Sequence, residues 1–176
     1  MAFQEDTVAW PIMVKLAACI EEALAERDLP GVCRSIPVPG PLAVIEACGQ
    51  CDGPNGCGGQ AWVRLVNEFP YSAFPNPDQT GGTCGMNRAI VLEVGIARCL
   101  HVGKTNGVGG FTPPPVAEVI GDVRLQMADK AAMAWAIQCC VGAEDDFSDP
   151  SYVLGQYQAM QTPGDCGGGY WTVTIG

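Results

Sequence analysis

The sequence predicts a single α+β domain, an antiparallel or mixed sheet of about four strands covered by two main helices. Three observations carry this expectation. Apolar residues recur at steps of three or four over 11–27 and again over about 115–140, the period of helices with a buried face. Runs rich in valine, isoleucine and tryptophan at 42–48, 61–69, 88–100 and 170–175 read as strands. A length of 176 residues with 48% hydrophobic content suits one domain with a sizeable core.

The first helix presents Ile12, Leu16, Cys19, Ile20, Ala23 and Leu24 on one face and Lys15, Glu21, Glu22 and Glu26 over much of the rest. Pro11 suits its first turn, where a missing amide donor costs little, and Asp28-Leu29-Pro30-Gly31 supplies the stop. After a proline-rich bend at 36–41, Leu42-Ala43-Val44-Ile45 reads as a strand. Asp52-Gly53 and Asn55-Gly56 then mark a tight connection, because Gly and Asn tolerate positive φ. Trp62, Arg64 and Val66 alternate with Val63 and Leu65, the pattern of a hairpin or an enlarged hairpin loop.

The strand at 90–97 is apolar at most positions, as expected of a central strand, with Gly95 marking a bulge or close backbone packing. Pro115 suits the opening turn of the second helix. Its buried side is expected at Val116, Val119, Ile120, Val123, Met127 and Met133, and its wet side at Asp122, Arg124, Asp129 and Lys130. At 1.5 Å per residue this helix is about 35 Å long. The run Tyr170-Trp171-Thr172-Val173-Thr174-Ile175 closes the sheet. Extended loops are expected around 49–60, 70–87 and 101–114.

Nineteen acidic against nine basic residues give a net charge of −10, and no stretch concentrates Lys and Arg. Neutralising a nucleic-acid backbone needs clustered positive charge, so tight phosphate binding is disfavoured. No apolar run approaches the roughly 18 to 20 residues needed to cross a bilayer, and the first residues lack the basic flank of a secretory signal. The chain is therefore expected to be soluble where it is made, with no membrane partner.

Chemical motifs are weak. The one histidine, His101, lies two positions from Cys99 with no orienting group nearby in sequence, so it reads as structural or exposed. Gly107-Val108-Gly109-Gly110 lacks the Lys-Ser/Thr ending of a phosphate loop. Glu144, Asp145, Asp146 and Asp149 miss the spacing of an EF-hand and read as a solvated acidic loop.

Cys48 and Cys51 have the two-residue gap of a redox pair, with Cys57 as a third thiolate. A closed zinc site needs four donors, the fourth being a distant Cys84 or Cys166. A structural crosslink, a structural zinc and reduced packing cysteines all remain open for these positions. Cys139 and Cys140 point about 100° apart on a helix, which disfavours a bond between them. No catalytic residue and no cofactor is expected.

Four segments carry a family resemblance: Ala61-Trp62-Val63-Arg64-Leu65-Val66, the run from Ala89 to Cys99, Ala136-Ile137-Gln138-Cys139-Cys140, and the finish from Gly164 to Thr174. Together with Cys48-x-x-Cys51, they resemble the head-to-tail connector or tail-terminator proteins of long-tailed phages of actinobacteria. The similarity spans most of 42–175. It implies a non-enzymatic virion protein of the neck, which caps the tail tube and joins tail to head as a homohexameric ring around the DNA channel. Its partners would be the tail-tube protein and a stopper or adaptor, with DNA passing through without sequence-specific binding.

A stopper or adaptor at the same neck is the nearest alternative, and a small cysteine-rich metal-binding or thiol-redox protein is the alternative from another class. Before assembly such a subunit resides in the host cytoplasm. On this reading Arg98 is a surface position, Tyr71, Phe74, Val108 and Phe111 are loop anchors for partners, and Glu144, Asp145 and Asp146 flank the channel. Cys48, Cys51, Cys57 and Cys166 then have a structural role, as crosslinks or as ligands of a zinc.

Overall fold

A computed structural model describes residues 7–38, 58–78, 87–105, 107, 109–142, 151–161 and 166–176. The strand expected over 42–48 and the connection after it lie outside these residues. The chain is α+β. Helix α1 (Ala9–Glu26) leads into β1 (Arg34–Pro37), followed by β2 (Gln60–Tyr71) and β3 (Asn87–Cys99). A small hairpin, β4 (Lys104–Thr105) and β5 (Phe111–Thr112), precedes helix α2 (Val116–Gly142), and β6 (Tyr152–Gln161) and β7 (Cys166–Ile175) complete the fold. The five long-range strands form one sheet in the order β1-β2-β3-β7-β6. It is mixed, because β1 runs parallel to β2 while the other pairs are antiparallel.

The central position expected for the 90–97 strand is observed. Flanked by β2 and β7, β3 contributes Ile90, Leu92, Val94 and Ile96 to the helix-facing side, each at most 1% exposed. Ala61 and Val63 of β2 and Val173 and Ile175 of β7 extend that layer, as the two-residue strand period requires. On it lie the six apolar positions expected of the first helix, all buried, joined by Met133, Ala136 and Ile137 of α2. Burial of these side chains stabilises by about 25 cal/mol per Å² of apolar surface removed from water, which makes this layer the main driving force of the fold.

The helices are antiparallel neighbours. A disulfide joins Cys19 to Cys140, and Arg27 stacks over Trp135, so later residues of α1 meet earlier residues of α2. The 27-residue α2 outruns the 18-residue α1. With Arg27 at the end of α1 against Trp135, the early turns of α2 extend past the end of its partner.

That overhang corrects the expected buried side of α2. Met133 is fully buried, but Val116, Val119, Ile120, Val123 and Met127 are exposed, Val116 at 74%. Advancing about 100° per residue, those five sit on a flank rotated by roughly 100° from Met133, so the apolar pattern contains two stripes of different phase. Asp129 shares the phase of Met133, Ala136 and Cys140 and is buried at 3% exposure, against the expectation of a wet position. Lys130 is half-buried, its ammonium over the rings of Tyr157 and Trp171.

Two strands of the main sheet were not expected. The four-residue β1 is recognisable from its pairing with β2. In β6 the alternation is broken by a register shift between Leu154 and Tyr157, which moves the apolar positions out of a simple period of two. The expected loop at 101–114 contains the β4–β5 hairpin.

Candidate functional site

Arg98 enters the core from β3, where the resemblance implies a surface position. The side chain is instead 3% exposed, because its even register places it on the helix-facing side with Ile96. All five guanidinium N–H groups have acceptors. Nε donates to Asp129 Oδ2 at 2.6 Å, and Nη2 donates to Asp129 Oδ1 at 2.8 Å and to the Pro30 carbonyl at 2.7 Å. Nη1 donates to the carbonyls of Gly58 at 2.9 Å and Gly31 at 3.2 Å. One side chain thus ties α2, the turn after α1 and the entry to β2 onto the central strand. A buried guanidinium is tolerated because each donor is satisfied.

The opposite face of the sheet holds a second polar cluster. Trp62 is fully buried and its Nε1 donates to Glu93 Oε1 at 2.9 Å, while Arg64 forms an ion pair with the other carboxylate oxygen. Gly95 is the cross-strand partner of Trp62, and a Cβ there would stand 2.2 Å from the indole ring. The glycine is a packing requirement, one of the two meanings legible in the sequence. The Glu93 carboxylate and the Arg64 guanidinium are paired with each other, so the arrangement holds a tryptophan in place across β2 and β3.

His101 lies just past β3, exposed, and bonds Asp122 of α2 twice. Its backbone N–H donates to Oδ2 at 2.8 Å, and Nδ1 contacts Oδ1 at 2.8 Å. That hydrogen bond, and then the carboxylate charge, raises the His101 pKa above its ordinary value of 6.5. Cys99 is disulfide-bonded, so no thiol–imidazole pair exists here.

Among the described residues most cysteines are oxidised, and Cys166 is one of the positions whose state the sequence left open. Besides Cys19 and Cys140, whose Cα atoms are 6.5 Å apart, Cys33, Cys99 and Cys166 are disulfide-bonded. A disulfide removes the thiolate of Cys166 from any zinc site. Among the described residues Cys139 is the free cysteine, and it points away from its bonded neighbour as the helical angle requires. No group of three or more His, Cys, Asp or Glu among the described residues is placed to hold a metal ion. Cys48, Cys51, Cys57 and the acidic residues Glu144, Asp145 and Asp146 lie outside the described residues.

The expected loop anchors divide. Tyr71 and Phe74 stack edge to face at 5.5 Å, and the Phe74 ring lies against Gly176, so both are half-buried within their own chain. Phe111 is 67% exposed, resting on Gly103, where a Cβ would meet its ring at 2.2 Å. Val108 is outside the described residues.

Phe111 stands in the hairpin that leads into α2 and lies close in sequence to the exposed flank of that helix, with Val102 also exposed. Phe111 was among the expected anchors, but the exposed flank of α2 is what sequence reasoning missed. The phase break between Met127 and Met133 was the signal.

On the other side of the helix layer, Leu24, Ala25, Leu29, Gly31 and Val32 line an open hollow of about 330 Å³ with Glu21 at its rim. Among the described residues no helix is long and apolar enough to cross a membrane. Comparison with known protein families and with curated proteins finds no match.

Proposed function

We propose that this chain is a structural subunit of a phage neck that caps the tail tube and joins tail to head as a closed ring around the DNA path. The observation that carries the reading is the location of the resembling segments. Residues 61–66, 89–99 and 166–174 fall on β2, β3 and β7, which are adjacent in the sheet, and 136–140 falls on α2, which packs against β3 and β7. The likeness therefore concerns one contiguous scaffold.

The chemistry of the described residues is consistent with a scaffold role. Arg98, Asp129, Trp62 and Glu93 make structural contacts with one another or with backbone carbonyls. An exposed apolar flank on a long helix suits a protein that functions by assembly, since monomers rarely leave a large apolar patch in water. Disulfides persist in oxidising surroundings. A subunit made in the host cytoplasm would acquire them once the particle is released.

Native mass spectrometry and negative-stain electron microscopy of the purified chain with tail tubes test the reading. Six copies around a central opening on tube ends are expected. A persistent monomer that neither caps tubes nor enters virions would sink it.

A further inference from the structure

We infer that the subunits of the ring meet head to tail, the apolar flank of α2 in one copy docking on the hollow at the C-terminal end of α1 in the next. This rests on the ring reading above and adds the surfaces.

The two surfaces lie on different flanks of the helix layer. On α2, Trp135 faces α1 through Arg27, whereas Lys130 faces Tyr157 and Trp171 at the β6–β7 end. Counting about 100° per residue, Val116, Val119, Ile120, Val123 and Met127 centre near the Lys130 side, away from α1. The hollow lies beyond α1, at the turn that follows it. Contacts between unlike patches on opposite flanks propagate in one direction and close into a ring when the rotation permits.

Shape and charge fit this pairing. The flank is a ridge of branched and flexible side chains on an overhanging helix, and the hollow has a floor of Leu24, Leu29 and Val32 large enough for one or two such side chains. Arg124, exposed one turn from Ile120 and Met127, borders the ridge. Glu21 at the rim of the hollow, with exposed Glu22 and Glu26 nearby on α1, offers the opposite charge. In a chain of net charge −10 this pairing brings a base against acids.

Area favours a ring over an isolated pair. From their fractional exposures, the five flank residues with Phe111 and Val102 leave roughly 600 Å² uncovered, against about 800 Å² per partner in a standard stable interface. One contact of this kind holds a pair weakly. A closed ring gives every copy two contacts, and none dissociates without breaking both.

The test places a benzophenone amino acid at Val123 of the full-length chain and irradiates a mixture of isotope-labelled and unlabelled copies in the presence of tail tubes. A mixed-label crosslink to residues 21–32 is expected, and Val123→Glu should raise the concentration for half assembly roughly 10- to 100-fold while the circular-dichroism melt stays near wild type. The pair Arg124→Glu with Glu21→Arg should assemble better than either single change. Rings whose crosslinks map elsewhere would overturn these surfaces while leaving the ring intact. Crosslinks within one chain, or to the tail-tube protein, would overturn them by naming another occupant. Absence of any ring would defeat the ring reading itself.

Discussion

Replacing Asp129 with alanine should be among the most damaging single changes in the described residues. It leaves the Arg98 guanidinium buried with two of its five donors, Nε and one N–H of Nη2, without an acceptor. At 3% exposure for both residues, solvent cannot compensate. Removing one partner of a buried pair costs about 3–5 kcal/mol. At about 2–4 °C per kcal/mol for a chain of this size, the melting midpoint should fall by roughly 6–20 °C. Arg98→Met should cost at least as much, because the carbonyls of Pro30, Gly31 and Gly58 lose their donors along with the carboxylate. The double variant Arg98→Met/Asp129→Ala removes both charges and should be more stable than either single variant. Thermal and urea melts with the disulfides intact measure all four corners of the cycle. Single changes costing less than about 1 kcal/mol, the range of exposed ion pairs, would refute the clamp.

Three further outcomes are expected. Gly95→Ala should displace the Trp62 ring, break its bond to Glu93 and cost about 1–3 kcal/mol, read as a shifted indole N–H resonance and a lower melting point; an unmoved resonance would contradict the packing argument. Cys19→Ala with Cys140→Ala opens a crosslink spanning 121 residues and should cost about 2–5 kcal/mol in denaturant melts under non-reducing conditions, whereas unchanged stability would place the bond outside the folded state. His101 should titrate above 6.5 by NMR, and Asp122→Asn should return it toward that value. Since the folded pKa is the raised one, the stability this contact contributes is present in full below the unfolded pKa and is lost as pH rises through the folded value. A midpoint that Asp122→Asn leaves unchanged would show that another group causes the shift.

The fold was legible wherever one period governed a segment. All six apolar positions expected of α1 are buried, because a single stripe faces a single surface. The central strand was equally clear, since residues buried on both faces leave a nearly continuous apolar run. The reading failed where two periods or a long-range contact decided the outcome. On α2, apolar residues of two phases looked like one broad stripe, and only the relative lengths of the helices determine which of them α1 and the sheet cover. Asp129 shares the helical phase of Met133, Ala136 and Cys140, which marks it as buried, yet its charge pointed the other way. Arg98 has no such local mark. Its burial depends on Asp129 and on carbonyls 40 or more positions away in sequence, which no local pattern records. The Cys19–Cys140 bond likewise joins two positions that only the antiparallel helix pairing brings together.

The central claim is that this chain is a ring-forming subunit at the junction of tail and head. An electron-microscopy map of the intact particle, at a resolution that traces its neck, tests it most directly. The account predicts six copies of this sheet and its two helices seated on the last ring of tail-tube protein, with the α2 flank of each copy against its neighbour. Finding this chain in contact with the head-side adaptor alone would make it a stopper, and a neck from which it is absent would contradict the account.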